Sequence, residues 1–165
     1  MMFRRAAAAI VGVSLLSGAT PARADSAIER NTLKGMTGVQ VLVEELSPEA
    51  ENAGLTTGQL HADVERQLQQ SGIAVVAPAT LAPDLYVNVN VIRVSALPLY
   101  AYDIHVGVNQ TATVLLNGVV TVGAETWSTS IIGVVGTDHF ATAVRQQLRG
   151  RIDAFITAFR LVNPK

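Results

Sequence analysis

The 165-residue sequence contains no cysteine. This absence excludes disulfide bonds, thiol chemistry and a lipid-modified cysteine, so the sequence does not fit a lipoprotein. The fold must instead be stabilised by packing, and hydrophobic residues, at 49% of the chain, are numerous enough for that.

The sequence also lacks an apolar run of the roughly 20 residues that cross a bilayer as a helix. The apolar run at residues 6–19 is shorter; it follows Arg4-Arg5 and precedes Ala22-Arg23-Ala24, a site that a signal peptidase recognises. We interpret residues 1–24 as a signal peptide that is cleaved near Ala24-Asp25. This predicts a periplasmic or secreted protein without a stable membrane anchor after cleavage.

Basic residues are too few for a nucleic-acid-binding protein. Of the 12 Lys and Arg residues, three lie in the predicted signal peptide, which leaves nine against 13 Asp and Glu and a mature charge of −4. An acidic chain is poorly suited to the phosphate backbone, so we expect no nucleic-acid partner.

Catalytic motifs are absent as well. There is no GxSxG and no HExxH, and His61, His105 and His139 fall on three separate predicted elements. Glu44 and Glu45 are adjacent at a strand end and point to opposite faces, which does not favour acid–base catalysis. The sequence therefore predicts a non-enzymatic protein with no metal site and no cofactor.

Hydrophobic periodicity predicts one α+β domain at residues 38–165, after a flexible segment at 25–37. A strand from Gly38 to Glu44 is followed by a loop at 47–55. A helix then begins after the capping residue Thr56 and ends at Gly72, with Leu60, Val64 and Leu68 on one face. A second strand, at 73–77, completes a βαβ unit, whose parallel strands are adjacent or bracket another strand.

The second half of the sequence predicts an antiparallel meander and a final helix. Alternating residues mark strands from Leu85 to Val94, Leu99 to Leu116 and Val119 to about Ile132, with a tight hairpin at Asn117-Gly118. A turn at 133–137 and a cap at Asp138 precede a helix of about 20 residues. The expected architecture is a mixed sheet of about five strands with both helices packed on one face, which leaves the other face open.

The candidate site lies on this open sheet face. Along β-strand 85–94, Tyr86, Asn88 and Asn90 alternate with valines that face the core, so uncharged polar groups are placed beside apolar area. The aromatic residues of the meander, Tyr100, Tyr102 and Trp127, complete the predicted binding set. The alternative is that the asparagines only make an open sheet soluble.

Several segments, taken in order, carry a resemblance: GLTTGQLHADVERQLQQSGIAVV, LYVNVNVIRV, AYDIHVGVNQTATVL, ETWSTSIIGVVG and FRLVNPK. The chain resembles an uncharacterised family of small, signal-peptide-bearing bacterial proteins, and that family implies no activity. Its order of elements is similar to that of the lipopolysaccharide-assembly protein LptE and the N-terminal domain of TolB. This resemblance implies the binding of protein or glycolipid in the cell envelope.

Together these observations predict a periplasmic domain that binds a protein or another envelope component, through the open sheet face or by strand addition at a sheet edge. A small-molecule-binding protein, with a pocket lined by Tyr86, Tyr100, Tyr102 and Trp127, is the alternative. An enzyme is the third possibility, and the oligomeric state is left open.

Overall fold

The computed structural model describes residues 26–78 and 81–164. The predicted signal peptide, residues 1–24, and its cleavage site lie outside the described residues. The helices and strands follow one another in this order: α1 Ala27–Asn31, β1 Gly38–Val43, α2 Pro48–Asn52, α3 Thr57–Ser71, β2 Ala74–Val75, β3 Asp84–Val94, β4 Leu99–Thr113, β5 Val120–Gly136, a 3-10 turn Thr137–His139 and α4 Phe140–Val162.

The five strands form one mixed sheet in the order β2-β1-β3-β4-β5. Strand β1 is parallel to β2 and to β3, while β3, β4 and β5 are antiparallel. This confirms the α+β class, the βαβ unit and the meander. It also settles the position of the first two strands, which are adjacent.

Helices α3 and α4 pack on the same face of the sheet because each carries an apolar stripe. In α3 the stripe is Leu60, Val64 and Leu68, all buried, and Thr56 caps the helix by accepting a hydrogen bond from the N–H of Gln59 at 3.2 Å. In α4 the buried residues follow the same helical spacing: Phe140, Val144, Leu148, Ile152, Phe155, Ile156 and Ala158. Within the described ranges, no helix is long and apolar enough to cross a bilayer.

The N-terminal segment differs from its prediction. The sequence predicts flexibility at 25–37, whereas the structure has α1 there, with a capping box in which Ser26 and Glu29 bind each other's backbone N–H groups. Leu33 is fully buried in the core, and the N–H of Gly35 donates to Asn163 at 2.7 Å. A five-residue helix is too short to show a period, so the sequence did not predict α1 or the burial of Leu33 after it.

Three local predictions are also corrected. The predicted loop after β1 contains α2, where Ser47 caps the helix and Pro48 begins it. The predicted turn at 133–137 is mostly strand, because β5 continues to Gly136 and pairs with Leu99. Asp138 lies in the 3-10 turn and does not cap α4.

The glycine that suggests a turn has another role. Gly133 pairs with Tyr102 on the core side of the sheet, and a Cβ atom at position 133 would overlap the Tyr102 hydroxyl. A glycine within a strand often marks such a close approach. Gly133 therefore makes room for the tyrosine ring and does not end the strand.

Candidate functional site

The open face is the side of the sheet away from α3 and α4. The described side chains that lie on it include Gln40, Leu42, Glu44, Tyr86, Asn88, Asn90, Ile92, Asp103, His105, Ile132 and Val134. On β3 the alternation is regular, since Leu85, Val87, Val89 and Val91 are buried on the other side. The structure thus places the Tyr and Asn residues of the predicted β3 strand on the open face.

Glu44 is the centre of a hydrogen-bond network that joins β1 to β3. Its carboxylate accepts hydrogen bonds from the Tyr86 hydroxyl and from the side-chain amide of Asn88. The amide of Asn90 in turn donates to the side-chain oxygen of Asn88. The polar atoms of this network are therefore bonded to one another along the strand.

These bonds shift the acidity of both partners. The pKa of Glu44 is lowered, chiefly because the Tyr86 hydroxyl and then the Asn88 amide donate to the ionised carboxylate. The pKa of Tyr86 is raised, chiefly because its bond to Glu44 favours the protonated phenol, with burial adding to the effect. Both shifts favour an anionic Glu44 beside a neutral Tyr86 at neutral pH.

A second pair joins β4 to β5. The His105 Nε2 and Glu125 Oε2 atoms are 2.6 Å apart, and the rings of His105 and Tyr86 are 6.5 Å apart between centroids. Gly107 provides the space for this pair, because a Cβ atom there would meet the Glu125 carboxylate and the His105 ring. The polar half of the open face therefore extends over four strands, from Glu44 to Glu125.

Exposed aliphatic side chains adjoin this polar area. Ile92 is 68% exposed, Ile132 80% and Val134 62%. The strand register brings them together, since Ile92 and Val134 both pair with Ala101, and Ile132 lies two pairs further along, on the same face. We call Ile92, Ala101, Ile132 and Val134 the aliphatic cluster.

The predicted role of the other aromatic residues on an exposed face is corrected. Tyr102 and Trp127 are buried, at 7% and 1% exposure, and Trp127 contacts Phe155 with 5.6 Å between ring centroids. Tyr100 packs against Phe140 at 4.6 Å. Tyr100 and Tyr102 lie on the core side because even-numbered β4 residues share the face of Ile104 and Val106, and Trp127 lies there because it pairs with the buried Val108.

Neither Glu44 nor the His105–Glu125 pair belongs to the sequence-predicted site, and the aliphatic cluster is missing from it too. The alternation of β1 does contain a signal for Glu44, since Val39, Val41 and Val43 face the core and Glu44 must face the other way. No comparable signal exists for Glu125, because register shifts in β4 and β5 change the phase between the two strands.

Other polar clusters serve to join elements. A groove of about 660 Å³ between α3 and α4 is lined by Asp63, Arg66, Arg145 and other polar residues. There the Arg145 guanidinium donates to both Asp63 oxygens, at 2.7 and 3.1 Å, and this lowers the pKa of Asp63. Over residues 26–78 and 81–164, no three His, Cys, Asp or Glu side chains come together to hold a metal ion.

A comparison with protein-family models found no matching family, and a comparison with curated proteins found no matching relative. Solved structures with a similar course of the chain include the PelC dodecamer from Paraburkholderia phytofirmans, with 16% identity, a TM-score of 0.44 and coverage of 73% of this chain and 88% of that one. Rare lipoprotein B from Shewanella oneidensis has 12% identity, a TM-score of 0.38 and coverage of 75% and 96%.

A minor lipoprotein from Acinetobacter baumannii is a third such structure, with 11% identity and a TM-score of 0.25 over 75% of this chain and 85% of that one. Likenesses of this degree assign no function to the chain. The function has to be argued from the open face itself.

Proposed function

We propose that the protein is a non-enzymatic binding domain of the bacterial envelope and that its open face binds another protein. The observation that carries this proposal is the aliphatic cluster, in which three side chains are each more than 60% exposed on one sheet face. Adjoining aliphatic side chains exposed on a folded domain are typical of interaction sites. The envelope location rests on the predicted signal peptide.

The composition of the open face supports a protein partner. An aliphatic area is flanked by hydrogen-bonding groups, Glu44, Tyr86 and the asparagines, which already bind one another. Protein interfaces combine an apolar centre with polar groups at the rim in this way. Because these polar groups are already organised, little side-chain entropy is lost when a partner covers them.

A small-molecule site is the weaker proposal. Small molecules are bound in concave pockets that enclose most of their surface. The four aromatic side chains predicted to line such a pocket are divided between two faces of the sheet, since Tyr86 is on the open face and the other three are on the core side. They cannot contact one small ligand together.

Catalysis by the His105–Glu125 pair has less support than binding. An imidazole beside a carboxylate is an arrangement that general-base catalysis uses. Here, however, the Glu125 side chain is 43% exposed and the pair lies on the outer surface of a sheet. Electrostatic catalysis is most effective in a site from which water is excluded.

The proposal is tested with two matched double variants of the processed protein, used as bait in an envelope extract. I92K/I132K places two charges in the aliphatic cluster, whereas L81K/L161K places two charges at leucines that are 70% and 64% exposed elsewhere. We expect wild type and L81K/L161K to retain the same protein, and I92K/I132K to retain at least tenfold less.

Both variants should fold, because all four substituted positions are exposed. Circular dichroism checks this. Equal retention by the three baits would show that the open face is not the binding surface. A bait that retains nothing, but whose melting temperature rises with a defined metabolite, would favour the small-molecule alternative.

A further inference from the structure

A second surface lies beyond the sheet, at the far end of the β4–β5 hairpin. The last pair between β3 and β4 joins Asp84 to Asn109, so among residues 26–78 and 81–164 no third strand lies beside the hairpin past this pair. We call residues 110–124 the arm. At about 3.3 Å per residue, the arm projects roughly 15–20 Å beyond the end of β3.

The tip of the arm is unusually apolar for an exposed segment. Leu115 and Leu116 are 97% and 93% exposed, and the residues on either side of them include four exposed valines: Val114, Val119, Val120 and Val122. No residue of the arm is charged. Edge strands normally carry charges that keep them soluble and separate, so an uncharged apolar tip is typical of a segment that contacts an apolar surface.

The backbone of the tip is prepared for such an environment. The N–H of Val114 donates to the Val119 carbonyl at 2.8 Å, and the N–H of Gly118 donates back to the Val114 carbonyl at 2.8 Å. The N–H of Val119 also donates to the Asn117 side chain at 3.1 Å. Because an unsatisfied amide is strongly disfavoured in hydrocarbon, these internal bonds reduce the free energy needed to bury the turn.

The geometry points to a lipid surface as the occupant and not to a second protein. Stable protein interfaces take roughly 20–30 residues from each side, whereas the apolar tip comprises only residues 114–122. The leucines are at the very end of a narrow two-stranded projection. A lipid layer encloses such a tip on all sides, whereas a protein surface covers only one side of it, so the lipid layer buries more apolar area. We propose that the tip of the arm inserts into the boundary between head groups and acyl chains of a bilayer.

The insertion must be shallow. The arm is a two-stranded ribbon whose outer edges are not paired within the described part of the chain, and open sheet edges are not stable in the hydrocarbon core. A depth of roughly 5–10 Å, typical of interfacial segments, buries Leu115 and Leu116 together with the valines nearest to them and leaves the base of the arm in water. The arm therefore gives reversible contact with a membrane.

Vesicle flotation tests this inference with protein that the expressing bacterium has exported and processed. The vesicles contain phosphatidylethanolamine and phosphatidylglycerol at three to one. We expect wild type and L81N/L161N, which changes two exposed leucines elsewhere, to float with the vesicles. L115N/L116N should have a partition coefficient at least about tenfold lower, since two leucine side chains no longer enter the apolar layer.

A single label measures the depth directly, because the natural chain has no cysteine. An environment-sensitive fluorophore attached after Asn117→Cys should shift to the blue with vesicles and be quenched by a shallow spin-labelled lipid more than by a deep one. The same label after Leu81→Cys should show no shift. The proposal is overturned if wild type stays with the unbound protein, or if L115N/L116N floats as well as wild type.

Analytical ultracentrifugation without lipid tests the alternative that the tip binds a second copy of the protein. A concentration-dependent dimer of wild type that L115N/L116N does not form would identify a second copy as the occupant and would overturn the lipid proposal. None of these results depends on the aliphatic cluster, so the arm and the open face succeed or fail separately.

Discussion

At the scale of single residues, Glu44 determines how β1 and β3 are joined on the open face. Its carboxylate accepts from Tyr86 and Asn88, and both bonds lower its pKa from the ordinary value of 4.5. A carboxyl group whose pKa is lower in the folded state contributes stability above its unfolded pKa, and this contribution is lost as pH falls through the folded value. Protonation of Glu44 at acid pH should therefore weaken the hydrogen-bond network on the open face.

Replacing Tyr86 by Phe removes the larger cause of the shift. In Y86F we expect the pKa of Glu44 to rise toward 4.5, as measured by the pH dependence of its side-chain carboxyl carbon shift in NMR. The stability difference between wild type and Y86F should be largest above pH 4.5 and should shrink as Glu44 becomes protonated.

The matched control is Y102F, which removes a tyrosine hydroxyl on the core side of the sheet. It should leave the titration of Glu44 unchanged, because Tyr102 does not contact that carboxylate. If Glu44 titrates identically in wild type and Y86F, the hydrogen bond from Tyr86 does not form in solution.

Residue-level alternation predicted the open face of β3 well but not the full site. Tyr86, Asn88 and Asn90 could be placed because the intervening residues are all buried aliphatics. Tyr102 and Trp127 were misplaced because an aromatic side chain suits an exposed binding face and a packed core equally well. For Tyr102, the alternation of β4 already favours the core, because Ile104 and Val106 share its face.

At the scale of elements, α1 and the residues after it form a structural part of the domain. Thr32 donates to the Thr126 carbonyl of β5 at 3.3 Å, and Asn163 at the end of α4 donates to the Leu33 carbonyl at 2.9 Å. Leu33 itself is fully buried among the core residues. The segment thus closes one end of the core between β5 and α4.

Leu33→Ala measures how much this segment contributes. Truncating a fully buried leucine removes apolar contacts and leaves a cavity, so we expect the free energy of unfolding to fall by about 2–4 kcal/mol in urea denaturation.

Ile28→Ala is the control on α1, because Ile28 is 80% exposed. It should change the free energy of unfolding by less than about 0.5 kcal/mol. Equal small effects of the two substitutions would show that the segment is flexible, as the sequence predicts.

The long elements were predictable and the short helices were not. The alternation of β3 and the stripes of α3 and α4 extend over enough residues to define a period, and their positions are confirmed. Helices α1 and α2 have five residues each, too few to define a period, so their formation depends on tertiary contacts. The hairpin is where Asn117-Gly118 predicts it, but its loop spans four residues, Leu115 to Gly118, between the bonded Val114 and Val119.

At the scale of the whole molecule, the helices pack on one side of the sheet, and two apolar surfaces are exposed among residues 26–78 and 81–164. The aliphatic cluster lies on the broad open face, and the arm projects past the end of the sheet. In the account proposed here, a protein covers the open face while the arm touches a lipid surface. The absence of cysteine is compatible with this arrangement, because contact through the arm requires no lipid anchor.

The central claim is that a protein partner covers the open face in the cell, and photo-cross-linking tests it most directly. A photoreactive amino acid replaces Ile132, which is 80% exposed in the aliphatic cluster, or Leu161, which is 64% exposed on α4, as the control. After irradiation of intact cells, we predict that position 132 yields one discrete adduct with the same protein that the wild-type bait retains, and that position 161 does not. No adduct at position 132, or the same adducts at both positions, would contradict the account.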